Sequence, residues 1–234
     1  MRAAGRFCLA GLALFCWGAP ARAGEAETVV ERMMTSSRTL DYAGIFVYQR
    51  DGNLETLRVM HRGSREPEKE RLESLNGPAR VVIRDGERVT LREKDAAAVQ
   101  VGGGAPRIAP NFSISGSLAE LAPSYRFELQ AGADRVAGRE AQVVHVRPRS
   151  ADRYAYRLWI DRETALLLKS VILDSQDRVL EQEQFASVDI GVTLADDVFT
   201  AAGANDGSPL LEGPASGAEA IEQREAPVCQ PPSC

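Results

Sequence analysis

Histidine and cysteine are scarce: the 234-residue chain has two of the first and four of the second. His61 and His145 each sit inside an alternating apolar–polar run. No H-E-x-x-H, C-x-x-C or G-x-S-x-G pattern accompanies them, so motif spacing assembles neither a zinc site nor an activated nucleophile. Each histidine reads as a sheet residue whose ring is satisfied by its neighbours. The Gly102-Gly103-Gly104 run lacks a following Lys-Ser or Lys-Thr and reads as a flexible loop, not a phosphate cradle. Carboxylate pairs such as Asp161 with Glu163, or Asp196 with Asp197, fall in turns or near the tail, where solvent keeps them ordinary acids. No cofactor, metal or catalytic residue is expected, and the chain does not read as an enzyme.

Long hydrophobic runs are also missing. The stretch from Phe7 to Trp17 is far shorter than the ~20 residues that span a bilayer. Preceded by Arg2 and Arg6 and followed by Ala21-Arg22-Ala23, it reads as a signal peptide over residues 1–23, with export to the periplasm. Phe15 before Cys16 does not fit a lipoprotein site. Basic residues are outnumbered, 28 against 33, for a net charge of −5. Cleavage after Ala23 removes three bases and no acid, which takes the charge to −8. Nucleic acid is excluded as a partner on that balance. Cleavage also removes Cys8 and Cys16. Cys229 and Cys234 remain, open to a small terminal disulfide loop, an intermolecular bridge or a sequence oddity.

What is present is β-structure. Glu27 to Leu40 has helical spacing, with Val29, Val30, Met33 and Met34 on one side. Thereafter the pattern is period two. Strands are expected at about 42–50, 54–62, 70–75, 80–84, 88–92, 125–131, 142–147, 154–160, 166–173 and 179–188, with turns at Asp51-Gly52, Asn76-Gly77-Pro78 and Asp85-Gly86. Periodicity fails between Lys94 and Tyr125, where glycines and prolines predict a flap before a short helix at Leu118–Leu121. Residues 201–234 have no aromatic, five acids against one base and five of the twelve prolines. That is the composition of a disordered tail, expected over 199–234.

The densest signal is YAYRLWIDRETALLLKSVILD, Tyr154 to Asp174, two amphipathic strands about a charged turn. Together with LDYAGIFVYQRDGNLETLRVMHR (Leu40 to Arg62) and LESLNGPARVVIRDG (Leu72 to Gly86), it resembles the MucB/RseB family of periplasmic sigma-factor regulatory proteins. The resemblance runs from about Glu27 to Val192. It implies an α+β fold over residues 24–198: a large curved antiparallel sheet, or half-barrel, covered by a few helices in the manner of lipoprotein carriers. It implies binding of an anti-sigma factor's periplasmic segment, with release when a lipid or misassembled envelope component fills an apolar cleft. The family's second, smaller domain reads as absent here. A rival reading is a periplasmic lipid or lipoprotein carrier without a regulatory partner.

In Tyr42 to Tyr48 both alternating sets of side chains are largely apolar, so both faces of that strand are expected to be covered. Large apolar groups on strands and flap give the candidate lipid-binding cleft: Phe46, Tyr48, Met60, Phe112, Ile114, Tyr125, Phe127, Tyr156 and Trp159. Core packing is the alternative for each, because strand parity does not say which face is concave. Arg58, Arg62 and Arg65, in a basic stretch with Lys69 and Arg71, are the candidate contacts to lipid phosphate or an acidic partner segment.

Overall fold

The computed structural model describes residues 23–93, 99–101 and 117–200. An N-terminal helix, α1 (Ala23–Thr39), precedes five strands: β1 (Asp41–Arg50), β2 (Asn53–Arg62), β3 (Lys69–Ser74), β4 (Arg80–Asp85) and β5 (Arg88–Glu93). Then come β6 (Val99–Val101), a one-turn helix α2 (Leu118–Leu121), β7 (Tyr125–Leu129), β8 (Asp134–Val136), β9 (Arg139–Pro148), β10 (Ala155–Asp161), β11 (Leu167–Leu173) and β12 (Val179–Ile190). A 3₁₀ turn at Asp196–Phe199 ends the described chain. The expected helices and strands are all present. Periodicity missed β6 and β8, which are three residues each, too short to show a period. The expected leader, most of the flap and the tail beyond Thr200 lie outside the described residues.

All strand pairs are antiparallel, and the order is β6-β5-β4-β3-β2-β1-β12-β11-β10-β9-β7, with β8 on β9. The two strands furthest apart in sequence therefore meet in the middle of the sheet. Within each wing strands close in sequence lie side by side, and the β1–β12 seam joins the two into the expected open α+β sheet. The turns follow the sequence: Asp51 and Gly52 both have positive φ, as a two-residue type I′ loop requires.

Apolar side chains cover both faces. On one, Ala26, Val29, Val30 and Met33 of α1, spaced i, i+3, i+4, i+7, pack on Val144, Val146, Leu158, Ile160 and Leu167. A second cluster gathers Tyr42, Phe46, Leu57, Val59, Leu72 and Phe185 around the central seam. A third, formed by Ala43, Met60, Val81 and Ile83, is closed by Leu194 and Phe199 of the C-terminal segment. The covering of both sides of β1, expected from its composition, comes on the Ala43 side from that segment.

Candidate functional site: an inner face with a buried acid

Directly opposed residues in a sheet share a face, so the register assigns every side chain. One row runs Glu55–Tyr48–Glu183–Ser170–Leu158–Val144–Leu129 across seven strands. The next runs Arg50–Glu181–Ile172–Tyr156–Val146–Phe127. Leu158, Val144 and Val146 lie under α1, so this is the helix-covered, inner face.

Of the nine candidate cleft residues, Phe46, Tyr48, Tyr125, Phe127 and Tyr156 share that face. Phe46, Tyr125 and Phe127 are buried in the cores, whereas Tyr48 and Tyr156 are half-buried. Tyr125 and Tyr156 meet edge to face with ring centres 6.1 Å apart. Met60 and Trp159 lie on the other face, because Met60 pairs with Ala43 and Arg71, and Trp159 pairs with Val143 and Lys169. Phe112 and Ile114 lie outside the described residues.

Between Tyr48 and Ser170 sits a residue the sequence reading passed over. Glu183 is only 9% exposed, and the Ser170 hydroxyl donates to its Oε1 at 2.9 Å. Burial pushes its carboxyl up to about 8; the Ser170 bond pulls the other way, and neighbouring Glu181 adds to the rise. Burial also raises the phenols of Tyr48 and Tyr156. Glu181 to Gln184 are polar on both faces of the strand, so parity gave no signal for one buried acid.

The basic candidates separate. Arg58 pairs with Glu73 at 3.4 Å, and Arg65 is exposed in the β2–β3 turn. Arg62 is buried and already engaged. Its Nη1 donates to the Leu194 carbonyl at 3.3 Å, its Nη2 to Asp196 at 2.7 Å, and its guanidinium lies 5.1 Å from the centre of the Phe199 ring. Arg71, also buried, donates through Nη1 to the carbonyls of Val198 and Thr200, at 3.0 and 3.1 Å. Two arginines of the outer face thus strap residues 194–200 across β2, β3 and β4, with Lys69 3.6 Å from Asp196. The sequence reading took this as an open basic surface; the register places Arg62 and Arg71 beneath the chain's own C-terminal segment.

The densest sequence segment also acts through its structure. Asp161 is buried, not solvated. Its Oδ2 accepts from Arg139 Nε at 2.7 Å, and its Oδ1 accepts from the Thr164 backbone and hydroxyl, each at 2.8 Å. Burial raises this carboxyl, but the Arg139 and Thr164 bonds outweigh it and the net shift is downward. Trp159 Nε1 donates to Asp134 at 2.7 Å, and the Lys169 ammonium lies 4.7 Å from the centre of its ring. His61 meets its expectation. Nδ1 is 2.8 Å from the Leu40 carbonyl, Nε2 is 3.0 Å from Glu68, and the ring stacks on Tyr42.

The family model of the MucB/RseB N-terminal domain matches residues 25–202, which takes in the sheet, α1 and the strap. The chain belongs to the MucB/RseB family. The sigma factor AlgU regulatory protein MucB of Pseudomonas aeruginosa is 33% identical over 77% of this chain and 55% of its own length. The crystal structure of MucB superposes with a TM-score of 0.65 at 31% identity, covering 77% of this chain and 64% of that one. The complex structure of Pseudomonas aeruginosa MucA/MucB gives 0.62 at 30% identity, covering 76% and 61%. The chain spans about half the length of the curated relatives it matches.

Proposed function

We propose that this MucB/RseB-family chain is a non-enzymatic periplasmic regulator of an envelope-stress sigma-factor pathway. In this reading it binds the periplasmic segment of an anti-sigma factor and releases it when an acylated lipid or misassembled envelope component occupies the inner face. The observation that carries the reading is the family match over residues 25–202, joined to the likeness to a MucB whose structure was determined in complex with MucA. The charged, apolar and small-residue order of the leader supports export. A switch of this kind requires the ligand to favour the free form over the partner-bound form, a coupling of typically ~1–3 kcal/mol.

Calorimetric titration of the leaderless chain with the periplasmic segment of its cognate anti-sigma factor, with and without an acylated envelope glycolipid, tests the reading. Micromolar or tighter binding that the glycolipid weakens is the expected result. Glycolipid binding without partner binding would replace the regulator with a lipid or lipoprotein carrier. The half-buried Tyr48 and Tyr156 on the inner face are what keep that second reading in view.

A further inference from the structure

Among the described residues, Glu183 is a carboxyl with no ion-pair partner on its own face. Arg50, one row away, is committed to Glu181 at 3.8 Å. Lys169, the next residue to Ser170, projects to the opposite face beside Trp159. The titratable and charged groups facing Glu183 are Tyr48 and Arg50 of β1, Glu55 of β2, Tyr156 of β10 and Glu181 on its own strand. None supplies it a close cation, and Glu181 opposes a second negative charge. A buried carboxyl so placed keeps its proton at neutral pH.

A protonated carboxyl has one O–H to give. Oε1 is occupied as the acceptor from Ser170, which leaves the proton on Oε2. Among the described residues Oε2 has no hydrogen-bond partner. A single neutral donor, set beside Tyr48 and Phe185 and next to an anionic Glu181, is complementary to an uncharged acceptor on an apolar chain.

We propose that Glu183, oriented by Ser170, is the polar recognition point of the inner face, donating through Oε2–H to the neutral ester or amide carbonyl of an acylated ligand and discriminating against a carboxylate or phosphate at that position. The proposal rests on the lipid-binding half of the reading above and names the headgroup chemistry which that reading leaves open. Ionisation of Glu183 turns its donor into an acceptor and sets a negative charge against the carbonyl, so binding of the ester weakens as pH rises.

The test uses two fluorescent probes of equal chain length, dansyl-undecanoate and its methyl ester, titrated into the full leaderless chain at about pH 6 and about pH 9.5, on either side of the raised acid. At the lower pH the ester is expected to bind about tenfold tighter than the carboxylate. At the higher pH the ester is expected to lose about tenfold of its own affinity, the value of one hydrogen bond, while the carboxylate, facing a second negative charge, binds more weakly still. Glu183→Gln keeps both the acceptor for Ser170 and a donor for the ligand, so it should bind the ester as the parent does at pH 6 and show no loss at high pH. Glu183→Leu should lose about tenfold for the ester at pH 6. Equal ester affinity in all three proteins at both pH values would overturn the assignment of Glu183 while leaving lipid binding intact. Failure of both probes to bind the parent at both pH values would overturn the lipid reading itself.

Discussion

Arg62 and Asp196 meet across 134 positions of sequence, with Nη2 donating to Oδ1 at 2.7 Å. The pairing is lopsided: the arginine side chain is 5% exposed and the aspartate 73%. The arginine is held by more than its partner, since the Leu194 carbonyl and the Phe199 ring also contact it. Arg62→Ala is expected to cost about 2 kcal/mol, through lost packing and a lost charged hydrogen bond. It should also make the segment after Ile190 newly sensitive to limited proteolysis. Asp196→Asn should do far less, because water replaces what it loses. The bond from Arg62 depresses the Asp196 carboxyl, so its contribution is present above the usual carboxylate range and is lost as pH falls through that range. Urea unfolding and trypsin digestion of both variants check this, and equal digestion patterns would dismiss the strap.

Asp161 and Arg139 form the second long-range contact, and here the acid is the buried member. Asp161→Ala removes the acceptor for Arg139 and for both donors of Thr164 and should destabilise by about 2–3 kcal/mol, the cost of lost charged hydrogen bonds, since Arg139 keeps Glu163 at 3.1 Å. Thr164→Ala removes a neutral donor to Asp161 and a long acceptor of the Leu166 N–H, and should cost about 1 kcal/mol. Because the net shift of the Asp161 carboxyl is downward, its stabilisation holds above its unfolded value near 3.8 and disappears in more acid solution. Denaturant midpoints of parent and Asp161→Asn between about pH 3 and pH 7 should converge at the acid end; curves that stay parallel would refute the assignment.

Local pattern carried most of the fold. Alternation in Leu40 to Arg62 and in Tyr154 to Asp174, and the helical spacing of Val29, Val30 and Met33, marked elements whose faces are set by period alone. The sequence could not say which strands lie side by side. The β1–β12 seam is a long-range fact, and with it the opposition of Tyr48 to Glu183. Arg62 illustrates the same gap. Arginines at alternate strand positions look solvated until the chain returns more than a hundred residues later to cover them. Asp161 was misjudged for a related reason: a turn position suggested solvent, but Arg139 on the neighbouring strand closes over it.

Gly44 lies at a close approach of the two strands of that seam. A Cβ built there would fall on the Ser187 carbonyl and would meet Phe185 Cδ1 at 3.1 Å. The register between β1 and β12 shifts at the next pair, Ile45/Phe46, so the extra residue in β12 brings backbone close to Gly44. Gly44→Ala, an ordinary gain in strand rigidity elsewhere, should here force the two central strands apart and cost about 2–4 kcal/mol. Gly52→Ala, with open space around it but a positive φ, should cost about 1 kcal/mol. Thermal melts of the two variants rank the effects; an equal loss in both would mean that the seam yields without strain.

Glu183 also leaves a signature in stability that needs no ligand. Its carboxyl holds a proton up to about pH 8 in the folded chain, against an ordinary value of 4.5 once unfolded. Between those two values the folded state binds more protons than the unfolded state, so the contribution is fully present below 4.5 and declines as pH rises through the folded value. Glu183→Gln cannot ionise and keeps its bond to Ser170. It should match the parent at about pH 5 and exceed it by about 1–3 kcal/mol at about pH 8. The other titrating groups act alike on both proteins, so the difference between their urea midpoints isolates this one carboxyl. Glu183→Asp, too short to reach Ser170 from the same backbone, should lose the hydrogen bond yet keep a rise with acid. A parent and Gln variant whose stabilities run in parallel from pH 5 to pH 9 would mean that Glu183 is ionised throughout. That result would remove the neutral donor on which its role toward a ligand depends.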